Sequence, residues 1–185
     1  LRLLAFDLAV VDLTPLTLAT DLEVLELNRS RPEVAAWERI AAIKRLHGLV
    51  LKNSPLPPHG IKHLSQLTHL RELGLQGTGL SDEDYVQLAP LNELESLNLS
   101  RTRVTDAGLA QLPLTSFPRL KELVLSHTAI GEETIRQIGQ CAELKRLTLI
   151  GNQLNDKTVE HLVRIPHLTH LLIDSTGITD VGLAK

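Results

Sequence analysis

The apolar positions of this chain fall into a repeating pattern. The string L-x-x-L-x-L begins at Leu22, Leu46, Leu70, Leu94, Leu120 and Leu144, and again at Leu168 with Ile173 as its third member. Successive starts are 24 residues apart, except for 26 between Leu94 and Leu120, where Pro113-Leu114-Thr115-Ser116 reads as an inserted loop. A degenerate copy, Leu1 to Phe6, begins 21 residues before Leu22. A fixed period of this length is the signature of stacked structural repeats, each burying its apolar face against its neighbours. The pattern predicts one domain over residues 1–185, built of about eight coils of mostly 24 residues.

Each coil divides into two halves. The first alternates, as in Leu97-Asn98-Leu99 and Leu123-Val124-Leu125, which is the period of a strand with one buried face; successive strands are expected to stack in parallel. Eight positions after the first Leu comes a small polar residue: Ser30, Ser54, Thr78, Thr102, Thr128, Asn152, Thr176. Such side chains can hydrogen-bond the backbone where it turns inside the coil, so they read as structural rather than catalytic. The second half carries apolar residues three apart, as in Trp37, Ile40, Ile43 or Ile135, Ile138, Cys141, the stripe of a helix laid on the strand layer. Helix starts are marked by Ser81-Asp82, Thr105-Asp106, Asn155-Asp156 and Thr179-Asp180. In each, the first residue can cap the helix and the acid opposes the positive end of its dipole. Ser30 and Glu33 have the spacing of a capping box. In the first coil, Val11-Asp12-Leu13-Thr14-Pro15-Leu16 is too short and Pro-broken for a full helix and predicts a 3₁₀ turn.

Taken together, segments such as Leu94 to Leu112, with L-x-x-L-x-L-x-x-T-x-V-T-D-A-G-L-x-x-L, resemble leucine-rich repeats of the ribonuclease-inhibitor-like and cysteine-containing kinds. Cys141, three residues before Leu144, sits where the cysteine-containing subclass often places its cysteine, although Leu67, Leu91, Phe117 and Ile165 stand there in other coils. The short first coil resembles the bacterial repeat typified by internalins. Thr followed by T-D-x-G-L resembles repeats abundant in large bacterial proteins. The resemblance implies an α/β solenoid shaped as a horseshoe, with a parallel sheet on the concave face and helices on the convex face. It also implies a protein-interaction module whose ligand sits on the concave side, though a fold alone does not fix function.

Residues between the buried leucines form that open face. One row reads Ala5, Glu26, Val50, Gly74, Asn98, Val124, Thr148, Leu172, and the row two residues later reads Asp7, Asn28, Lys52, Gln76, Ser100, Ser126, Ile150, Asp174. Binding hot spots favour Trp, Tyr and Arg, yet all four aromatics, Phe6, Trp37, Tyr85 and Phe117, fall at core positions of the pattern. What remains is a patch near the C-terminal end, where Val124, Thr148, Ile150 and Leu172 are flanked by Glu122, Arg146, His170 and Asp174. These eight are the candidate partner-binding residues.

Composition narrows the field further. A net charge of −3 with dispersed Lys and Arg offers no basic stripe for nucleic acid or an anionic membrane, and no apolar run approaches the ~20 residues of a membrane span. One cysteine allows no internal disulfide. Of the histidines, His59 and His63 are four apart, and His69, His161, His167 and His170 lie near them or in a later coil, but no cysteine or acid completes a zinc spacing. Neither a phosphate-binding glycine loop nor a G-x-S-x-G or zinc-protease motif is present, and Cys141 lies on the buried ladder, a small apolar residue rather than a nucleophile. The chain starts at Leu, contains no Met and stops inside a repeat, which reads as part of a longer polypeptide. The sequence therefore predicts a monomeric interaction module without cofactor or metal. The alternatives are the substrate-recognition part of a larger enzyme, a ubiquitin-ligase-like adaptor or an effector, and a purely structural spacer.

Overall fold

A computed structural model of the chain describes residues 2–6, 21–32, 34–57 and 60–184. Eight parallel strands form one sheet in sequence order: β1 (Arg2–Phe6), β2 (Val24–Asn28), β3 (Gly48–Lys52), β4 (Glu72–Gly74), β5 (Ser96–Asn98), β6 (Glu122–Val124), β7 (Arg146–Thr148) and β8 (His170–Leu172). From β2 onward each is followed by a helix: α1 (Val34–Ala41), α2 (Gly60–Leu64), α3 (Asp82–Val86), α4 (Asp106–Gln111), α5 (Glu132–Ile138), α6 (Asp156–Leu162) and α7 (Asp180–Leu183). The 3₁₀ turn expected at Val11 to Leu16, and Glu33 of the expected Ser30–Glu33 capping box, lie outside the described residues.

The strand register follows the repeat, with Leu25 opposite Leu49, Leu73 opposite Leu97 and Leu147 opposite Leu171. β1 departs from it by one residue. It pairs Leu3 with Leu25, Ala5 with Leu27 and Phe6 with Asn28, an offset of 22 where the apolar pattern gave 21. Ala5 thus registers with Leu27 rather than with Glu26, and Phe6 with Asn28 rather than with Leu27. A six-residue copy with leucines at three of its first four places fits either phase, so its pattern is a poor guide.

One apolar cluster runs the length of the stack from Leu22 to Ile165, fed by alternate strand residues and by the helix stripe. Trp37, Tyr85 and Phe117 are its largest fully buried members. The ring edge of Tyr85 meets Phe117 at 6.4 Å, and its hydroxyl donates to the Leu112 carbonyl at 3.0 Å, satisfying the polar end of a buried aromatic. The two extra residues of the long coil belong here. They fall in a stretch that contains a 3₁₀ turn, Leu114–Ser116, and Leu114 is buried in the core rather than lying in a surface loop.

The polar residue at the turn of each coil binds backbone within it. Thr78, Thr102, Thr128 and Thr176 each donate to the carbonyl three residues earlier, at 2.6 to 2.8 Å. Asn152 goes further: its amide donates to the Leu149 and Leu125 carbonyls, and its carbonyl accepts from the Thr128 N–H, tying two coils together.

The acids at the helix starts also act between coils, a role the sequence reading did not assign. Thr105 and Asn155 cap their own helices, and Ser81 forms a capping box with Asp84. Asp82, however, accepts from the N–H and hydroxyl of Thr105 in the next coil, at 2.8 and 2.7 Å, and Asp156 does the same for Thr179 at 2.7 and 2.9 Å. Asp106 accepts from the N–H groups of Gly131 and Thr134 and from the Thr134 hydroxyl. Gly131 begins α5 with no side-chain cap of its own, so the preceding coil supplies one. The glycine of T-D-x-G is explained by the same contact: a Cβ on Gly108 would stand 2.2 Å from Asp82 Oδ1, and one on Gly182 2.3 Å from Asp156 Oδ1. The motif is the two halves of a joint between neighbouring coils.

Candidate interaction face

The strand residues between the buried leucines form the face opposite the helices. In the candidate patch, Val124, Thr148 and Ile150 are half-buried, and Leu172 is 50% exposed. Their backbone is held by the preceding coil. The carbonyls of Val124, Thr148 and Leu172 accept from the N–H groups of Leu99, Leu125 and Leu149 at 2.8 to 2.9 Å, and the Ile150 carbonyl accepts from His127 at 2.8 Å. The apolar side chains therefore project from a fixed lattice, with Ile150 in the turn just after β7 rather than on the strand itself.

The polar candidates fall into two groups. Glu122 and Arg146, opposite each other on β6 and β7, form an ion pair at 2.7 Å, which holds the Arg146 guanidinium even more firmly protonated than usual. His170 and Asp174 are exposed on the last coil. The ring Nδ1 of His170 lies 2.9 Å from the Thr169 hydroxyl. Beside the patch, the Lys121 ammonium 2.7 Å from Glu95 holds that carboxyl below the usual carboxylate range. Ser100 and Ser126, placed on the open face by the row count, are instead buried. That removes the centre of one row from any contact surface, while Lys52 and Glu72 stay exposed in the earlier coils.

Elsewhere, Cys141 is buried, and burial pushes its thiol up to about 11. His59 lies outside the described residues. Among the described residues no group of three or more His, Cys, Asp or Glu is placed to hold a metal ion, and no helix is long and apolar enough to cross a membrane.

The fold defines the class: a parallel-sheet solenoid of strand–helix coils. Residues 92–112 and 164–185 match the family model described as Leucine Rich repeat. Among solved structures, internalin C2 of Listeria monocytogenes superposes with a TM-score of 0.75 at 21% identity, over 100% of this chain and 76% of that one. Internalin F of the same organism gives 0.72 at 25% identity, over 95% of this chain and 48% of that one. This chain thus spans three quarters of the first and about half of the second. No curated protein matches it. The chain is a leucine-rich-repeat solenoid.

Proposed function

We propose that this solenoid is a protein-interaction module without catalytic activity of its own, and that it engages one protein partner on its open face through Val124, Thr148, Ile150 and Leu172, with Glu122, Arg146, His170 and Asp174 around them. The carrying observation is that Leu172, 50% exposed, stands beside the half-buried Val124, Thr148 and Ile150 of the two preceding coils on one face of the sheet. A dry centre with a charged rim is the ordinary anatomy of an interface. With no aromatic anchor in the patch the affinity is modest, since aromatic and Arg anchors carry most hot-spot energy. The double substitution Ile150→Glu with Leu172→Lys tests the reading. The thermal midpoint should be nearly unchanged, while partners retained by the protein from a native extract should be lost. A folded double variant that keeps every partner at unchanged affinity would move the site elsewhere.

A further inference from the structure

The joints at the helix starts are interrupted between coils six and seven. Asp82, Asp106 and Asp156 each reach the coil that follows. At the equivalent place in coil six stands Glu132, one methylene longer. Its carboxylate lies over the helices, 3.5 Å from Arg136 and 3.6 Å from His161, and Asn155 caps its own helix through Lys157. The backbone parts at the same place. Thr105 bridges Ala129 and Asn155 bridges Gly177 in the joints on either side, whereas the equivalent pair, Gly131 and Gln153, is not bridged among the described residues. Arg103 and Gly177 donate their N–H groups to the preceding coil at 2.8 Å, and Gln153 makes no such bond to Ile130. A cavity of about 670 Å³ opens beside this gap, on the rim of the stack.

Its lining has a definite chemistry. Residues 103, 129 and 153 hold the same place in successive coils. Arg103 and Gln153 therefore stand two strand spacings apart, about 10 Å, with Ala129 as the floor between them, and all three are exposed. The Arg103 Nε donates to the Gly79 carbonyl at 3.1 Å, which anchors the guanidinium and leaves its two terminal nitrogens for a ligand. At the inner end the His127 ring lies over Gly151, where a Cβ would stand 2.3 Å from Nδ1. At the outer end Asp106 receives all three of its bonds from coil six on Oδ1. Its Oδ2 lies 3.1 Å from where a Cβ on Gly131 would stand, so the glycine leaves that oxygen open to the cleft.

We propose that this cleft binds an acidic residue of an extended peptide segment on a protein partner. The carboxylate lies between Arg103 and Gln153 with His127 beside it, and the main-chain N–H meets Asp106 Oδ2. A guanidinium fork matches a carboxylate with two parallel bonds, and one extended chain is narrow enough to cross the rim over Ala129. A bare inorganic anion would leave Asp106 unmatched and be repelled by it. The site belongs to coils five to seven and is independent of the open-face patch.

Amide chemical shifts of the isotope-labelled chain, titrated with a short peptide of alternating Gly and Glu or with its Gln counterpart, test the proposal. The Glu peptide should shift the Ala129, Gly131 and Gln153 amides saturably, and the Gln peptide should bind at least about tenfold more weakly. Arg103→Gln should weaken the Glu peptide by about tenfold and leave the thermal midpoint in place. Ala129→Leu, which fills an exposed floor, should remove binding of both peptides, while Ile150→Glu with Leu172→Lys should not alter it. Equal binding of the two peptides, no shift at the three amides, or full affinity in Arg103→Gln overturns the proposal. So does saturation of the same amides by inorganic phosphate with the Glu peptide excluded, which would make the cleft a site for small anions.

Discussion

Coils two and three are joined differently from those that follow. In the first, β2 and β3 pair over five residues, and the buried Ser54 hydroxyl accepts from the Ser30 N–H and donates to the Leu27 carbonyl across the interface, both at 3.0 Å. Trp37 fills the space between sheet and helix. From β4 on, pairing shrinks to three residues, and carboxylates of one coil cap the helix of the next. Neighbouring coils can thus be fixed by long strands and a bulky core residue, or by short strands and charge-assisted bonds at the helix starts. The second arrangement is written locally, in T-D-x-G, and can be repeated indefinitely.

The contrast breaks most severely at Trp37. Trp37→Ala should cost roughly 3–5 kcal/mol, because the neighbouring strands cannot collapse into so large a void. Coils touch only their neighbours, so hydrogen exchange should rise in coils one to three and little in coils six to eight. An even rise along the chain would show that the two regions are one cooperative unit. Asp106→Ala comes next. It leaves the wholly buried Thr134 hydroxyl and two N–H groups without their acceptor, at a cost of about 2 kcal/mol. Ser54→Ala, which removes the corresponding joint in the N-terminal region, should cost about 1 kcal/mol because no charge is involved. Chemical denaturation of the two variants checks the ranking.

The joint itself is sharpened by a double-mutant cycle. Gly108→Ala places a methyl group 2.2 Å from the Asp82 carboxylate, and should cost about 1–3 kcal/mol as overpacking. In an Asp82→Ala background the carboxylate is gone and only the residue-82 Cβ, 2.9 Å away, stays close, so the same change should cost clearly less, giving a coupling energy of about 1 kcal/mol or more. Additive effects would mean that the glycine serves its own helix and not the joint.

Sequence periodicity alone reached the solenoid, the parallel sheet and the buried ladders, because a 24-residue repeat leaves one way to bury so many leucines at once. Its failures have physical causes. Leu1-Arg2-Leu3-Leu4 offers apolar residues in both strand phases, so the 22-residue register of β1 was invisible. The stretch Pro113 to Ser116 reads as loop, although the apolar side chain of Leu114 has core to reach. The acids at the helix starts fitted an intra-helical role so well that their bonds to the following coil went unsuspected, although the glycine three residues beyond the cap was the available signal. The candidate patch was legible as a row of side chains, but the burial of Ser100 and Ser126 was not, since alternation specifies a face and not what covers it.

Cys141 distinguishes buried from solvent-facing positions near the turn from helix to strand. Its thiol is pushed up to about 11 by burial, from an ordinary value of 9.0. Only the thiolate reacts, so native labelling near pH 8 should run roughly 100-fold slower than in the unfolded chain. The sign for stability is that of an acid held protonated in the fold. The contribution is constant below pH 9 and stability falls as pH rises from 9 towards 11, because the unfolded thiol ionises first. Stoichiometric labelling of the folded chain within minutes would place Cys141 at the surface.

The smallest effect is expected at the ion pair within the candidate patch. Glu122 and Arg146 meet at 2.7 Å, but their side chains are 34% and 53% exposed. An exposed pair gains little over its hydrated ions and loses side-chain freedom, so Glu122→Gln should change stability by about 0.5 kcal/mol or less. Its consequence lies in binding. A pair that contributes so little to the fold can open at little cost and turn Arg146 towards a partner, whereas a buried joint such as Asp106 with Thr134 cannot. Glu122→Gln should therefore leave the thermal midpoint in place and alter the salt dependence of partner association, measured as the slope of association rate against ionic strength. A variant with an unchanged slope would remove Arg146 from the rim of the interface and confine contact to the aliphatic residues.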